Sequence, residues 1–260
     1  MTRAKPIMLH GKPVAGGAMP VICTPLVGRT REDVLGEIAA VLPKKPDVVE
    51  WRVDFFRDID DTALVIDTAR ALKSAAGGVP VLFTRRSASE GGEQVALSDT
   101  RIVELYEAVC AARCVDLIDY ELSNPGDAFK RLRDASRAHA IAMVGSYHNF
   151  QSTPPREALV AKFRDAQASG AHVGKVAVMP KSASDVLTLL AATFEASASL
   201  DIPLISMSMG AYGSVSRMVG GVFGSALTFA VGKSSSAPGQ MPIEELRAVL
   251  ATVRRSTGTG

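Results

Sequence analysis

The stretch VGKVAVMPKSASDVLTLLAATFEA, residues 173–196, carries the pattern that decides the fold. Its first part, residues 173–179, is an apolar, β-branched run of the kind found in a strand buried within a parallel sheet. Its second part, residues 183–196, is amphipathic, and Ser182 stands before it as a helix N-cap. The stretch therefore predicts a buried strand that is followed directly by a helix.

The same strand–helix unit recurs eight times along the chain. The predicted strands cover residues 20–24, 47–53, 78–86, 115–121, 140–147, 173–179, 202–207 and 226–231. The predicted helices cover residues 31–42, with Thr30 as the cap, and 61–75, 98–112, 127–138, 155–168, 183–196, 214–223 and 242–254. Strict alternation requires a parallel sheet with right-handed crossovers. Eight units predict an α/β fold, a (β/α)8 TIM barrel, with a short N-terminal β-hairpin near residues 7–14 closing the barrel bottom.

A doubly wound open sheet is the alternative architecture. It would require a glycine-rich phosphate loop after the first strand, and the segment CTPLVGRT at residues 23–30 lacks that fingerprint. No run of charge or proline marks a linker, so we expect residues 1–260 to form a single barrel domain.

Composition excludes several classes of function. The net charge is +2 and no dense basic patch is present, which argues against a nucleic-acid binder. The longest apolar stretch, residues 218–231, is too short and too rich in glycine to span a membrane, and the N-terminus lacks the apolar core of a signal peptide. The three cysteines, Cys23, Cys110 and Cys114, suit a reducing compartment. We therefore expect a cytoplasmic protein.

Lys175 is the most informative residue for function, because it lies inside the apolar run of residues 173–180. Burial disfavours the ammonium form and so lowers the pKa of a lysine. The resulting neutral amine is a nucleophile suited to imine formation with a ketone or aldehyde. The alternative is a lysine near a strand end whose amine extends to water.

Other polar residues follow the carboxyl ends of predicted strands, where the active site of a barrel lies. Glu50 and Arg52 are two residues apart and therefore share one face of their strand, either as ligand-binding groups or as an ion pair that closes the barrel. Arg86 is two residues from Thr84 and therefore shares its face of the strand, whereas Arg85 lies on the opposite face.

His148 is expected just beyond the fifth strand, either as an acid–base group or as a surface imidazole. Glu90 is positioned to fix its tautomer. Arg217 follows the seventh strand near a helix start, where an anion binds favourably. The segment SSSAPGQ, residues 234–240, is either a plain connection or a lid with Ser236 and Gln240 at its tip; we call it the lid loop.

Together these residues indicate the chemical class of the substrate. Arginine binds carboxylates through two parallel hydrogen bonds. Guanidinium groups near Lys175 would also favour the neutral amine. The set therefore predicts a small, anionic, hydroxylated carbonyl compound, and no metal-ligand spacing accompanies it.

Seven segments resemble the type I 3-dehydroquinate dehydratase family, in order and at the family's spacings. They are EWRVDFF (residues 50–56), LFTRRSASEGGE (82–93), SYHNF (146–150), GKVAVMP (174–180), SMSMGAYGSVSR (206–217), VFGSALTF (222–229) and SAPGQ (236–240). The resemblance implies a barrel, usually a homodimer, without metal or organic cofactor. It implies the loss of water from 3-dehydroquinate to give 3-dehydroshikimate, in the shikimate pathway of aromatic amino acid biosynthesis.

By the same resemblance, Lys175 forms a Schiff base with the substrate, His148 is the general acid and base, and Glu90 orients the imidazole. Glu50, Arg52 and Arg86 hold the ring hydroxyls, Arg217 binds the carboxylate, and Ser236 and Gln240 close the lid. Arg85 and His172 depart from the family pattern, and we expect no catalytic role for them. A class I aldolase and a non-catalytic ligand sensor are the competing functions. The aldolase would normally require a phosphate-binding glycine loop after the last strands.

Overall fold

A computed structural model describes residues 4–234 and 236–257. Ser235 of the lid loop and both chain ends, residues 1–3 and 258–260, lie outside the described residues. Eight parallel strands form one sheet that curls into a barrel, with a helix after each strand. The predicted (β/α)8 barrel is confirmed, and the open doubly wound alternative is wrong.

The barrel strands are numbered β1 to β8 and the helices that follow them α1 to α8. The strands are β1 Val21–Leu26, β2 Val48–Arg52, β3 Val81–Thr84, β4 Leu117–Glu121, β5 Ala142–Asn149, β6 Val173–Val178, β7 Leu204–Ser208 and β8 Leu227–Phe229. The helices are α1 Arg31–Val41, α2 Thr62–Ala75, α3 Asp99–Ala112, α4 Gly126–Ala138, α5 Arg156–Ala168, α6 Ala183–Ser199, α7 Gly210–Val219 and α8 Ile243–Thr257. The predicted caps of α1 and α6, Thr30 and Ser182, each form a capping box.

The sheet closes on itself in sequence order. Each strand pairs with the next from β1 to β7, and β8 pairs with β1 through Leu227 opposite Val21. The last seam, between β7 and β8, is held by a single parallel bridge between Leu204 and Ser225. All eight carboxyl ends therefore meet at one rim of the barrel.

The lumen is apolar at the bottom and polar at the top. Its lower layer contains Val21, Val48, Leu82 and other aliphatic side chains from the starts of the strands. A small antiparallel hairpin, Met8–Leu9 paired with Lys12–Pro13, lies beside this layer, and Ile7 and Val14 pack into it. The predicted closure of the barrel bottom is therefore confirmed. Charged residues that point into the lumen occupy only its upper part.

Two predicted boundaries are wrong in a way that matters for the site. The seventh helix begins at Gly210, not at residue 214, because Gly213 allows it to lie against β7: a Cβ there would be 2.3 Å from the backbone of Ser208. Strand β5 runs to Asn149, two residues further than predicted, because it pairs with β6 as far as Val178. His148 therefore lies inside the strand, not beyond it.

In the described part of the chain, none of the helices combines the length and the apolar character needed to cross a membrane.

Candidate active site

A cavity opens at the carboxyl ends of the strands. It is lined by eight of the nine candidate residues, namely Glu50, Arg52, Arg86, Glu90, His148, Lys175, Ser236 and Gln240. Apolar side chains complete the wall, among them Phe150, Met207, Met209 and Phe229. The ninth candidate, Arg217, lies behind this wall in contact with Met207.

Lys175 is the third residue of β6, and its side chain points into the upper lumen with only 5% of its surface exposed. Its Nζ atom donates a hydrogen bond to Asp119 Oδ2 at 2.8 Å and lies 3.5 Å from Glu50 Oε1. The alternative of a lysine that extends to water is wrong. The expected surroundings are also wrong in part, because the nearest charged groups are the carboxylates of Asp119 and Glu50, not guanidinium groups.

Asp119 is the most important site residue that the sequence analysis missed. It is fully buried on β4 and contacts Arg86 at 2.7 Å and the Ser146 hydroxyl at 2.6 Å, in addition to Lys175. Burial raises the pKa of this carboxyl, but the charges of Arg86 and Lys175 outweigh burial and hold the pKa well below its usual range. The sequence does contain a signal for this residue. Asp119 and Glu121 are charged residues two positions apart within an apolar strand, just as Lys175 is a charged residue within an apolar strand.

Arg86 is held by carboxylates on three sides. Its guanidinium group donates to Asp119 and Glu121 and lies 3.7 Å from Glu90. Burial lowers the pKa of this guanidinium, but these carboxylates raise it above its ordinary value. Arg86 is therefore a fixed cation at the inner end of the cavity.

His148 and Glu90 meet as expected. Glu90 Oε2 lies 2.9 Å from His148 Nδ1 and also accepts the backbone N–H of His148 at 3.0 Å, while Ser123 donates to Glu90 Oε1 at 2.7 Å. Burial, together with the charges of Arg86 and Lys175, lowers the pKa of His148 well below its usual value. The imidazole is therefore neutral at pH 7, and Glu90 is positioned to fix its tautomer.

Glu90 itself titrates near neutrality. Burial and the negative charge of Glu121 raise its pKa to about 7, although Arg86 and the Ser123 hydroxyl oppose them. Carboxylates outnumber cations in the described upper lumen: Glu50, Asp54, Glu90, Asp119 and Glu121 face Arg52, Arg86 and Lys175. An excess of buried negative charge favours the retention of a proton by one carboxyl, and Glu90 is the one whose pKa rises.

Glu50 and Arg52 both point into the cavity, and they do not form with each other the ion pair that was the alternative interpretation. Glu50 accepts a hydrogen bond from Thr84 at 3.0 Å, and Arg52 binds Asp54 through two hydrogen bonds of 2.9 and 2.8 Å. Asp54 also accepts hydrogen bonds from the backbone N–H groups of Arg86 and Glu93. These bonds hold the loop that follows β3 against the end of β2.

Arg217 is an almost fully buried cation. It lies in the last turn of α7, not near a helix start as the sequence predicted, because α7 begins at Gly210. Its guanidinium group contacts the Pro238 carbonyl at 3.2 Å and Met207 Sδ at 3.6 Å, and Nε has no hydrogen-bond partner among the described residues. Burial lowers its pKa to about 10. Such a group is unsatisfied until an anion reaches it.

The lid loop lies against both the cavity and Arg217. The Ser236 backbone N–H donates to Gln240 Oε1, and the Gln240 amide donates to the Ser236 hydroxyl. The Pro238 carbonyl accepts from Arg217 and from the Gly210 N–H. Ser236 and Gln240 are thus linked to each other at the cavity, and the same loop contacts the buried guanidinium.

The remaining polar candidates lie elsewhere. The backbone N–H of Arg85 donates to Tyr106 outside the lumen, and His172 accepts the backbone N–H of Met143 at the start of β5. The three cysteines are free and buried. No group of three or more His, Cys, Asp or Glu residues in the described ranges is arranged to hold a metal ion.

Comparison with known proteins gives a consistent result. The sequence model of type I 3-dehydroquinase matches residues 22–257. The 3-dehydroquinate dehydratase of Albidiferax ferrireducens is 56% identical over 260 residues, which cover 100% of this chain and 98% of that protein. The 3-dehydroquinate dehydratase of Aromatoleum aromaticum is 46% identical over 256 residues, 98% of each protein.

Solved structures agree with the sequence comparisons. The crystal structure of 3-dehydroquinate dehydratase from Geobacillus kaustophilus superimposes with a TM-score of 0.94 at 46% identity and covers 98% of both chains. The type I enzyme of Clostridium difficile, solved with covalently modified comenic acid, gives a TM-score of 0.91 at 35% identity, over 97% of this chain and 99% of that one.

Proposed function

The chain belongs to the type I 3-dehydroquinase family, and from this premise we propose how its barrel mouth eliminates water from 3-dehydroquinate. The activity is that of a hydro-lyase in the shikimate pathway. The observation that carries the mechanism is the buried amine of Lys175 in the same cavity as the neutral imidazole of His148.

The reaction begins with a Schiff base. Lys175 attacks the substrate ketone after losing a proton, for which neutral His148 is the nearby base, and loss of water from the adduct gives a protonated imine. The net change, ammonium plus ketone to iminium plus water, conserves charge. Asp119 therefore faces a cationic nitrogen both before and after this step.

The iminium acts as an electron sink for the next step. His148 removes a proton from the carbon beside it, and the electron pair moves to nitrogen to give an enamine. The imidazolium then returns the proton to the β-hydroxyl, which leaves as water while the electrons return from nitrogen. A single base that serves both positions requires a syn elimination, and hydrolysis of the product imine releases Lys175.

The remaining candidate residues bind the substrate. We assign its carboxylate to Arg217, whose buried guanidinium lacks a carboxylate partner among the described residues. Glu50, Arg52 and Arg86 line the opposite part of the cavity and hold the ring hydroxyls. Closure of the lid loop through Ser236 and Gln240 excludes water while the imine is present.

Incubation of the purified protein with 3-dehydroquinate tests this function. The account predicts growth of the ultraviolet absorbance of a conjugated enone. When the substrate carries deuterium at the carbon beside the ketone, the label should be lost only from the ring face that bears the leaving hydroxyl. Cleavage of a carbon–carbon bond would support an aldolase. An unchanged substrate would support a non-catalytic sensor, and loss of label from the opposite face would rule out the single-base mechanism.

We also propose that two copies associate through the exposed faces of α6 and α7. Of the six large apolar side chains exposed in the described part of the chain, Leu187, Phe194, Tyr212 and Val215 lie on these two helices, and Val222 lies in the short 3-10 turn directly after α7. Clustered apolar surface marks an association site. Sedimentation of the Phe194→Glu/Tyr212→Glu variant should give a monomer, with Met8→Glu, an exposed apolar residue elsewhere, as the matched control. A variant that stays dimeric would place the interface on another face.

The cellular compartment follows from the cysteines. We propose a cytoplasmic location, because three free, buried thiols suit a reducing environment. Cell fractionation tests this point, and recovery of the protein outside the cytoplasm would contradict it.

A further inference from the structure

Among the described residues, Phe229 is the one whose aromatic ring contacts the reactive nitrogen. It is the last residue of β8, it is 3% exposed, and its ring centroid lies 4.7 Å from Lys175 Nζ. Phe229 on β8 lies two strands away from Lys175 on β6, and both side chains line the cavity. An aromatic face at this distance attracts a cation through its quadrupole, and the attraction is strongest where water is excluded.

We infer that Phe229 is a catalytic residue whose ring stabilises the cationic nitrogen of the Lys175 imine. This inference rests on the Schiff-base chemistry proposed above. The resting ammonium is contacted from three directions, by Asp119 at 2.8 Å, Glu50 at 3.5 Å and the Phe229 ring. Conversion to an iminium leaves one N–H on the nitrogen, which suffices for Asp119. The attraction to the ring needs no N–H, so it persists when hydrogen bonds are lost.

The ring favours particular steps of the reaction. The nitrogen is cationic in the ammonium and in both iminium species, and it is neutral in the enamine between them. The ring therefore favours the two steps in which positive charge develops on a neutral nitrogen: loss of water from the neutral amine adduct to give the iminium, and loss of the β-hydroxyl from the enamine. Phe229 gives no comparable stabilisation to the neutral enamine. Packing alone would make the ring indifferent to the charge on nitrogen.

Fluorinated phenylalanines separate charge stabilisation from packing, because fluorine withdraws electron density from the ring face while the ring shape is nearly retained. Replacement of Phe229 by mono-, di- and trifluorophenylalanine is expected to lower kcat in steps, by about threefold to thirtyfold across the series. The same series at Phe163, which is fully buried on α5 and does not line the cavity, should leave kcat nearly unchanged. Phe229→Met, which keeps an apolar side chain without a π face, should lose at least as much as the trifluoro form.

Borohydride trapping distinguishes failure of this inference from failure of the proposed function. If the unmodified protein yields an adduct on Lys175 and kcat is flat across the fluorinated series at Phe229, the ring acts only in packing and the inference is overturned. If no adduct forms in the unmodified protein, the Schiff-base mechanism itself is wrong. A graded loss at Phe229 that is matched by an equal loss at Phe163 would assign the effect to fluorination of buried rings in general and would also overturn the inference.

Discussion

Replacement of Glu90 by glutamine should stabilise the fold at alkaline pH and leave it unchanged at acidic pH. Burial and the charge of Glu121 raise the pKa of Glu90 from 4.5 to about 7. A pKa that is higher in the folded than in the unfolded chain means that protonation favours folding. This contribution is complete below 4.5 and is lost as the pH rises through about 7. At ~1.4 kcal/mol per pKa unit, the ionised carboxylate costs about 3 kcal/mol at pH 8.

Glutamine carries no charge to bury, and its amide has the size to keep the contacts with His148 and Ser123. We therefore expect Glu90→Gln to be about 2–3 kcal/mol more stable than the parent at pH 8 and equal to it at pH 4. Urea unfolding at both pH values measures the difference, with the exposed Glu157→Gln as the matched control. Equal stabilities at both pH values, or a variant that is less stable at pH 8, would refute this reasoning.

Three further substitutions test individual roles. His148→Ala should still form a borohydride-trapped adduct but lose about 10²–10⁴ in kcat, because the amine remains and the base is gone; a near-normal rate would remove its role in proton transfer. Arg217→Met should lower kcat/KM about thirtyfold or more through a higher KM. It should not lower the thermal stability, since the buried cation has no carboxylate partner among the described residues. An unchanged KM would assign the substrate carboxylate to another group. Asp119→Asn should destabilise the fold by about 3 kcal/mol in urea, because Lys175 and Arg86 both lose a buried partner; unchanged stability would mean that the remaining carboxylates suffice.

The barrel was predictable because its pattern is repeated and local. Each unit contains an apolar run, a cap such as Thr30 or Ser182 and an amphipathic segment, so one misjudged unit does not alter the whole. The errors fall where tertiary contacts override local preference. The helix α7 begins at Gly210 because Gly213 packs against the backbone of β7, although glycines in a sequence suggest a loop.

The candidate residues of the site were predictable from the alternation of side chains along each strand and from their position near the carboxyl ends of the strands. The residues that they contact were not predictable. Sequence places Lys175 in a lumen-facing position, but which charges face it depends on the strand opposite. Asp119 lies 56 residues away in the chain and meets Lys175 only through the curvature of the barrel. The reason for which Arg217 was chosen as an anion-binding group was incorrect, because burial and the Pro238 carbonyl, not a helix terminus, define its surroundings.

Reduction of a turnover mixture with borohydride, followed by peptide mapping, examines the reactive nitrogen itself. The account predicts one added substrate- or product-derived mass on the peptide that contains residue 175, and no added mass in the Lys175→Ala variant, which should also be inactive. An unlabelled Lys175 during full turnover, or an active protein without this side chain, would contradict the account.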